Sequence, residues 1–311
     1  MLKKNIKSKV PLFLVNFFDQ LSLISRFFYK RKRLTGSHNF SEPFFIIGSG
    51  RSGNTLLRSM LVSGGQVSIP PESYVWPRII RRFSSYSFLP WELLSSIVVS
   101  EYESYKEFNT WEVNLYRAHQ AVRKLKNKER TLSNAINCVY QIYNEEKGCQ
   151  GLRWGDKTPI NTIYVDKILN VFPNAQYIHI ERDPLDVVCS YVKAGLYETY
   201  EEAAFFWKEA TNKANTLGKK LPTSQYYKIS YEELVTDPET ELQKVCIFLN
   251  IEYRNSMLDY WKKTNELGDV KLRSHHKNIG KSVNTSSIGK WKNQLSEAEV
   301  IKLRSIINKN I

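Results

Sequence analysis

Apolar runs and helical spacing follow one another along this chain in a regular order. Pro43 to Ile47 is a short apolar run that ends in Gly48-Ser-Gly-Arg-Ser-Gly53. Helical spacing then runs from about Asn54 to Ser63, so the segment reads as strand, glycine-rich loop, helix. Residues 66–77 are proline-rich and read as loop. From about Trp76 to Lys147 the pattern is mostly helical, broken near Pro90 and Lys128. A second strand–turn–helix unit begins at Leu152, passes Trp154-Gly-Asp-Lys-Thr-Pro159 and continues as helix to Val171. A third starts at Gln176 and runs through Glu181 and Arg182-Asp-Pro184 into a helix to about Ala194, with Asp183 and Pro184 as N-cap and first-turn pair. Tyr226 to Ser230 predicts another strand, and 238–250 and 296–309 predict helices.

Strands alternating with helices predict an α/β fold: a P-loop-like parallel sheet flanked by helices on both faces, with helical insertions. Ligands in such folds sit at the carboxyl ends of the strands. The chain has 311 residues, 42% of them hydrophobic, enough for one large core.

Charge divides this picture in two. Of the formal +14, residues 1–33 hold +8, nine cations against Asp19 alone. The pattern predicts a basic amphipathic arm over residues 1–40 and a single domain over 41–311. Interleaved Phe and Leu suit the arm to an anionic membrane surface, or to packing on the domain. Pro11 to Phe28 is interrupted by Asn16, Asp19, Gln20 and Arg26 and should not span a bilayer. With no signal-peptide pattern, and with Cys138, Cys149, Cys189 and Cys246 in no metal-like cluster, the expectation is a reduced, cytoplasmic protein, peripheral at the membrane surface if the arm binds there.

Three motifs carry chemistry. In Gly48-Ser-Gly-Arg-Ser-Gly-Asn-Thr55 the glycines let successive backbone N–H groups point into one concavity, with a helix N-terminus behind them. This is an oxyanion cradle, or else only a tight strand-to-helix turn. A nucleotide triphosphatase loop would carry lysine where Asn54 stands; here the cation is Arg51, inside the loop. Arg182 at a strand end and Ser190 two turns into the next helix offer paired donors and a hydroxyl to a phosphate. Gly155-Asp-Lys-Thr-Pro159 puts Lys157 at another strand end. Each of the last two is, alone, an ordinary surface charge.

Together the segments resemble the sulfotransferase superfamily, which transfers a sulfuryl group from 3′-phosphoadenosine-5′-phosphosulfate (PAPS). Gly50-Arg-Ser-Gly-Asn-Thr55 is similar to its 5′-phosphosulfate loop, with Asn54 in place of the commoner threonine, and Arg182-Asp-Pro-Leu-Asp-Val-Val-Cys-Ser190 to its 3′-phosphate motif. Asp156-Lys-Thr-Pro159 resembles a segment of carbohydrate sulfotransferases. Pro71-Glu-Ser-Tyr-Val-Trp-Pro-Arg78 resembles the segment of protein-tyrosine sulfotransferases that carries a catalytic glutamate. Ile229-Ser-Tyr-Glu-Glu-Leu234 and Ile288-Gly-Lys-Trp291 look like further landmarks, and the likeness covers about residues 43 to 295.

The resemblance implies roles. Gly50, Arg51, Ser52, Gly53, Asn54 and Thr55 would hold the 5′-phosphosulfate, and Arg182 and Ser190 the 3′-phosphate. Tyr231, Ser274 and Lys290 would close over the nucleotide. Lys157 would meet charge near the transferring group, Glu72 would be the general base, and no metal is required. His179 is the rival base, although as a strand residue facing away from Arg182 it reads as structural; His275 and His276 are further rivals. The expected acceptor is a hydroxyl on a carbohydrate or glycoconjugate, from the carbohydrate-like Asp-Lys-Thr-Pro segment and from Trp76, Trp91, Trp111 and Trp154, which are either stacking surfaces for sugars or core residues. A tyrosine acceptor is the alternative, turned aside by the lack of a Golgi-type anchor in the arm. A P-loop kinase or a nucleotide-binding scaffold is the alternative of another class, and nucleic-acid binding is not expected, because the basic excess lies mostly in the arm.

Overall fold

The computed structural model of the chain describes residues 31–36, 39–262 and 280–308. Ser274, His275, His276 and residues 1–30 of the arm therefore lie outside the described residues. Five strands form one sheet: β1 (Phe44–Ile47), β2 (Val67–Ser68), β3 (Arg153–Asp156), β4 (Gln176–Glu181) and β5 (Tyr226–Ser230). Their order is β2-β3-β1-β4-β5 and every pairing is parallel. The α/β fold read from the alternation is the one observed.

All four residues of β1 are buried, because this central strand has both faces covered. Its two faces feed different cores. Phe45 and Ile47 join Trp154, Tyr177 and the helical segment between β2 and β3. Phe44 and Ile46 join Ile178, Ile180 and Ile229 against α1 (Asn54–Ser63) and the helix Pro238–Leu249. The first core is strongly aromatic, with Tyr140 and Trp154 stacked at 4.1 Å and Phe45 and Tyr177 at 5.5 Å. Trp76, Trp91, Trp111 and Trp154 are all buried in it, between 0% and 2% exposed, so none offers the sugar-stacking surface expected of it.

Gly155 explains itself locally. It pairs with Phe44 across the ladder, and a Cβ there would lie 2.5 Å from the Phe44 ring.

Elsewhere the structure departs from the pattern. The proline-rich 66–77 stretch holds the two-residue edge strand Val67–Ser68. The helix expected to reach Val171 is two pieces, the short 3₁₀ turn Pro159–Thr162 and the helix Val165–Val171. A 21-residue helix, Tyr200–Lys220, fills a region in which no element was read. It starts at a capping box, Thr199 with Glu202. Among the described residues no helix is long and apolar enough to cross a membrane.

Candidate active site

β1 lies between β3 and β4, where successive connections leave the sheet in opposite directions, and its carboxyl end opens into the glycine-rich loop. Close packing dictates that loop. Gly48 has φ 141°, and a Cβ on it would stand 2.3 Å from the Ile180 carbonyl oxygen. Gly53 has φ 98°, and a Cβ there would be 2.5 Å from the Tyr231 ring. Between them Arg51 adopts a left-handed conformation (φ 66°) that a non-glycine residue takes only at a cost. Asn54, the first residue of α1, donates from Nδ2 to the Ser49 carbonyl at 2.8 Å. It braces the loop where a triphosphatase would carry its lysine. The N-terminus of α1 has no side-chain cap hydrogen bond and no acidic residue in its first turn, so its N–H groups and dipole are open to an anion.

The arginine–serine motif meets this loop directly. Arg51 Nε donates to Ser190 Oγ at 3.1 Å, and Arg182 Nη1 donates to the Arg51 carbonyl at 3.1 Å. Ser190 rides on α2, the helix Pro184–Lys193, which is capped by Asp183 as its sequence predicts: the Asp183 Oδ1 accepts from Leu185 N and Asp186 N. The Arg182 guanidinium lies 4.5 Å from the Tyr231 ring centroid, and its Nη2 donates to the Ser287 carbonyl. Its buried Nε has no hydrogen-bond partner among the described residues. Burial holds the Arg51 guanidinium below its ordinary pKa, and the charge of Arg182 adds to the fall against the opposing Tyr191. A buried and a half-buried arginine brought together at a strand end fit a phosphate dianion.

At the other end of the loop sits a buried ion pair. Lys157, at the end of β3, donates from Nζ to Thr55 Oγ1 at 3.1 Å and to Glu72 Oε1. Both partners are buried, Lys157 at 1% and Glu72 at 5% exposure. The loop carrying Glu72 is pinned on either side: Trp111 Nε1 donates to the Pro71 carbonyl at 3.0 Å, and Ser73 N donates to Thr158 Oγ1 at 3.2 Å. Asp156, beside Lys157, is an anchor. It accepts from Tyr140 at 2.6 Å, Trp76 at 3.2 Å and Asn161 at 2.8 Å. Burial pushes its carboxyl above the usual range, and the hydrogen bonds oppose that rise.

These ends border one cleft of about 890 Å³. Every site residue expected in the described part of the chain lines it except Ser52 and Lys157, which are buried behind its wall. His179 does not reach it. Its Nδ1 pairs with the Tyr226 hydroxyl at 2.7 Å, and burial, helped by Lys228, lowers its pKa to about 3. It is the neutral structural histidine its strand position predicts, and not a base. Among the described residues no group of three or more His, Cys, Asp or Glu could hold a metal ion.

Residues 43–255 match the profile described as the Sulfotransferase family. The chain belongs to that family. It is therefore a sulfotransferase, and the kinase and scaffold alternatives fall away. A putative protein-tyrosine sulfotransferase of Caenorhabditis briggsae is 24% identical over 86% of this chain and 87% of its own length. Protein-tyrosine sulfotransferase A of Caenorhabditis elegans is 25% identical over 88% of this chain and 67% of its own. Among solved structures, the sulfotransferase domain of the Synechococcus PCC 7002 olefin synthase shares the fold, with a TM-score of 0.60 and 20% identity over 91% of this chain and all of that domain.

Around the cleft, residues given no role from the sequence brace the expected ones. Tyr191 packs its hydroxyl against Gly50, where a Cβ would be 2.6 Å away, and pairs with Ser49 Oγ at 3.1 Å. Asp186 accepts from Gly289 N at 2.7 Å and Trp291 N at 3.1 Å, and so ties the segment bearing Lys290 to α2. Tyr74 donates to Glu72 Oε2 at 2.9 Å. Asp186 and Tyr191 stand within or beside the Arg182–Ser190 motif, which was the available signal.

Proposed function

We propose that this sulfotransferase takes the sulfuryl group of PAPS and delivers it to a phenolic hydroxyl of the tyrosine type. The observation that carries the reading is the joining of two anion sites by one loop. Arg182 and Ser190 suit a 3′-phosphate, and the uncapped helix N-terminus beside Thr55 and Lys157 suits a 5′-phosphosulfate; Arg51, expected at the second, bonds Ser190 of the first and so joins the two. The unpartnered Arg182 Nε supports an anion at the first site. Gly50 and Gly53, which cannot take a Cβ, support a closely fitted loop at the second.

Lys157 then stabilises charge growing on the transferring group and the leaving oxygen, held in position before reaction by Glu72 and Thr55. Glu72 takes the acceptor's proton as the new O–S bond forms. A phenol, with a pKa of about 10 against ~4.3 for glutamate, is far better matched to a carboxylate base than an aliphatic sugar hydroxyl. The named nematode relatives support a tyrosyl acceptor, and the burial of the four tryptophans removes the sugar-stacking support for a saccharide. Sulfur-labelled PAPS supplied with a mixed panel of tyrosine peptides and oligosaccharides tests the proposal. Sulfotyrosine is expected; label on sugar hydroxyls alone would overturn the acceptor assignment.

A further inference from the structure

Glu72 already holds a phenol. Tyr74, two residues on in the same pinned loop, donates its hydroxyl to Glu72 Oε2 at 2.9 Å, while Lys157 occupies Oε1. Its ring is 40% exposed, lines the cleft, and stacks on Tyr105 with centroids 6.1 Å apart at 26°. Tyr105 is itself fixed by a 3.2 Å bond from its hydroxyl to Glu107 Oε2. An acceptor hydroxyl needs a hydrogen bond to the base, a position at the cleft, and proximity to the group that steadies the sulfuryl. Tyr74 meets the first two, and through Glu72 it is one residue removed from Lys157 and two from Thr55 of the cradle.

We propose that Tyr74 is an internal acceptor: with PAPS bound and no external acceptor, the enzyme sulfates its own Tyr74. The inference rests on the proposed function, since it uses the same donor and the same base. The Tyr74 Oη lone pair forms the new O–S bond as the S–O bond to the 5′-phosphate breaks. The electron pair of that bond leaves on adenosine 3′,5′-bisphosphate, and the phenol proton passes to Glu72 Oε2, from which water removes it. The product is a sulfate ester beside Glu72, at the position an external phenol must take, so the modification blocks the enzyme that makes it. In turnover, an external acceptor competes by displacing the Tyr74 hydroxyl from Oε2.

The test uses the full chain, PAPS and no acceptor, with intact and peptide mass measured over time and, in parallel, residual activity on a tyrosine peptide. One sulfuryl group per chain is expected on the peptide containing Tyr74. Its first-order rate should be independent of protein concentration, with activity lost in step. Tyr74→Phe should gain no label and, whatever its starting rate, show no decline from it through the same incubation, and Glu72→Gln should gain no label; binding of adenosine 3′,5′-bisphosphate checks that both variants are folded. Turnover of the external peptide with Tyr74 unmodified overturns the inference and leaves the proposed function standing. Label that persists in Tyr74→Phe, or a rate that rises with protein concentration, also overturns it. If neither Tyr74 nor any external phenol is sulfated, the proposed function fails and the inference falls with it.

Discussion

Lys157→Met is the most informative single perturbation of the buried pair. It removes the cation from a carboxylate that is 5% exposed and leaves Glu72 with the Tyr74 hydroxyl on one oxygen and no ammonium on the other. Breaking a buried pair from one side costs about 3–5 kcal/mol, because the remaining charge loses its ion-pair partner. At an unfolding entropy of ~2.1 cal/mol/K per residue, a 311-residue domain loses about 5–8 °C in Tm for that cost. Glu72→Gln alone should be milder, since the lysine keeps the amide oxygen and Thr55 Oγ1 as partners. The double variant, Lys157→Met with Glu72→Gln, buries no net charge and should recover most of the loss, a coupling of about 2 kcal/mol or more in a double-mutant cycle. Turnover should not recover, because neither the charge stabiliser nor the base is present. Calorimetry of the four proteins, beside single-turnover rates, makes the comparison. Additive losses in Tm, or a double variant as active as the parent, would refute the coupled-pair reasoning.

Arg182→Ala should weaken adenosine 3′,5′-bisphosphate binding about 10–150-fold by titration calorimetry, the worth of a charged hydrogen-bonding group at ~1.5–3 kcal/mol. Binding should not require Mg²⁺. His179, buried neutral with a folded pKa of about 3, makes the native state refuse a proton that the unfolded chain accepts at ~6.5. Stability from this group is complete above pH 6.5 and is lost as pH falls toward 3, so Tm should decline less steeply between pH 6.5 and 4 in His179→Gln than in the parent. Deleting residues 1–30 should reduce association with anionic vesicles and leave Tm unchanged. Deleting 1–35 should cost about 2 °C or more in addition, because the Arg33 and Leu34 carbonyls accept from Leu132 N at 3.2 Å and Ser133 N at 2.9 Å at the start of the helix Leu132–Glu146.

What could be read in the sequence was what local pattern controls. The glycine-rich loop, the strands and the Asp183 cap each follow from residues a few positions apart, and each is formed at about those positions. Two elements escaped for different reasons. Val67–Ser68 is too short for any period to show. Tyr200–Lys220 announced itself by the Thr199–Glu202 capping box, a signal present and not used. Pairings across the chain were hidden altogether. Nothing local says that Glu72 meets a lysine 85 residues away, or that Arg51 reaches Ser190 across 139. The tryptophans misled because composition reports aromatic surface without its burial. Asp156, read within a carbohydrate-like segment, serves instead to anchor Trp76, Tyr140 and Asn161 behind the site.

In the proposed mechanism Glu72 takes the acceptor's proton beside a loop that binds nucleotide independently of it. Single-turnover sulfuryl transfer from PAPS to a tyrosine peptide, measured for the parent and Glu72→Gln alongside affinity for adenosine 3′,5′-bisphosphate, tests it most directly. Transfer should fall by ~10²-fold or more with affinity within a small factor of the parent. Near-parental transfer in Glu72→Gln, with nucleotide affinity intact, would contradict the account.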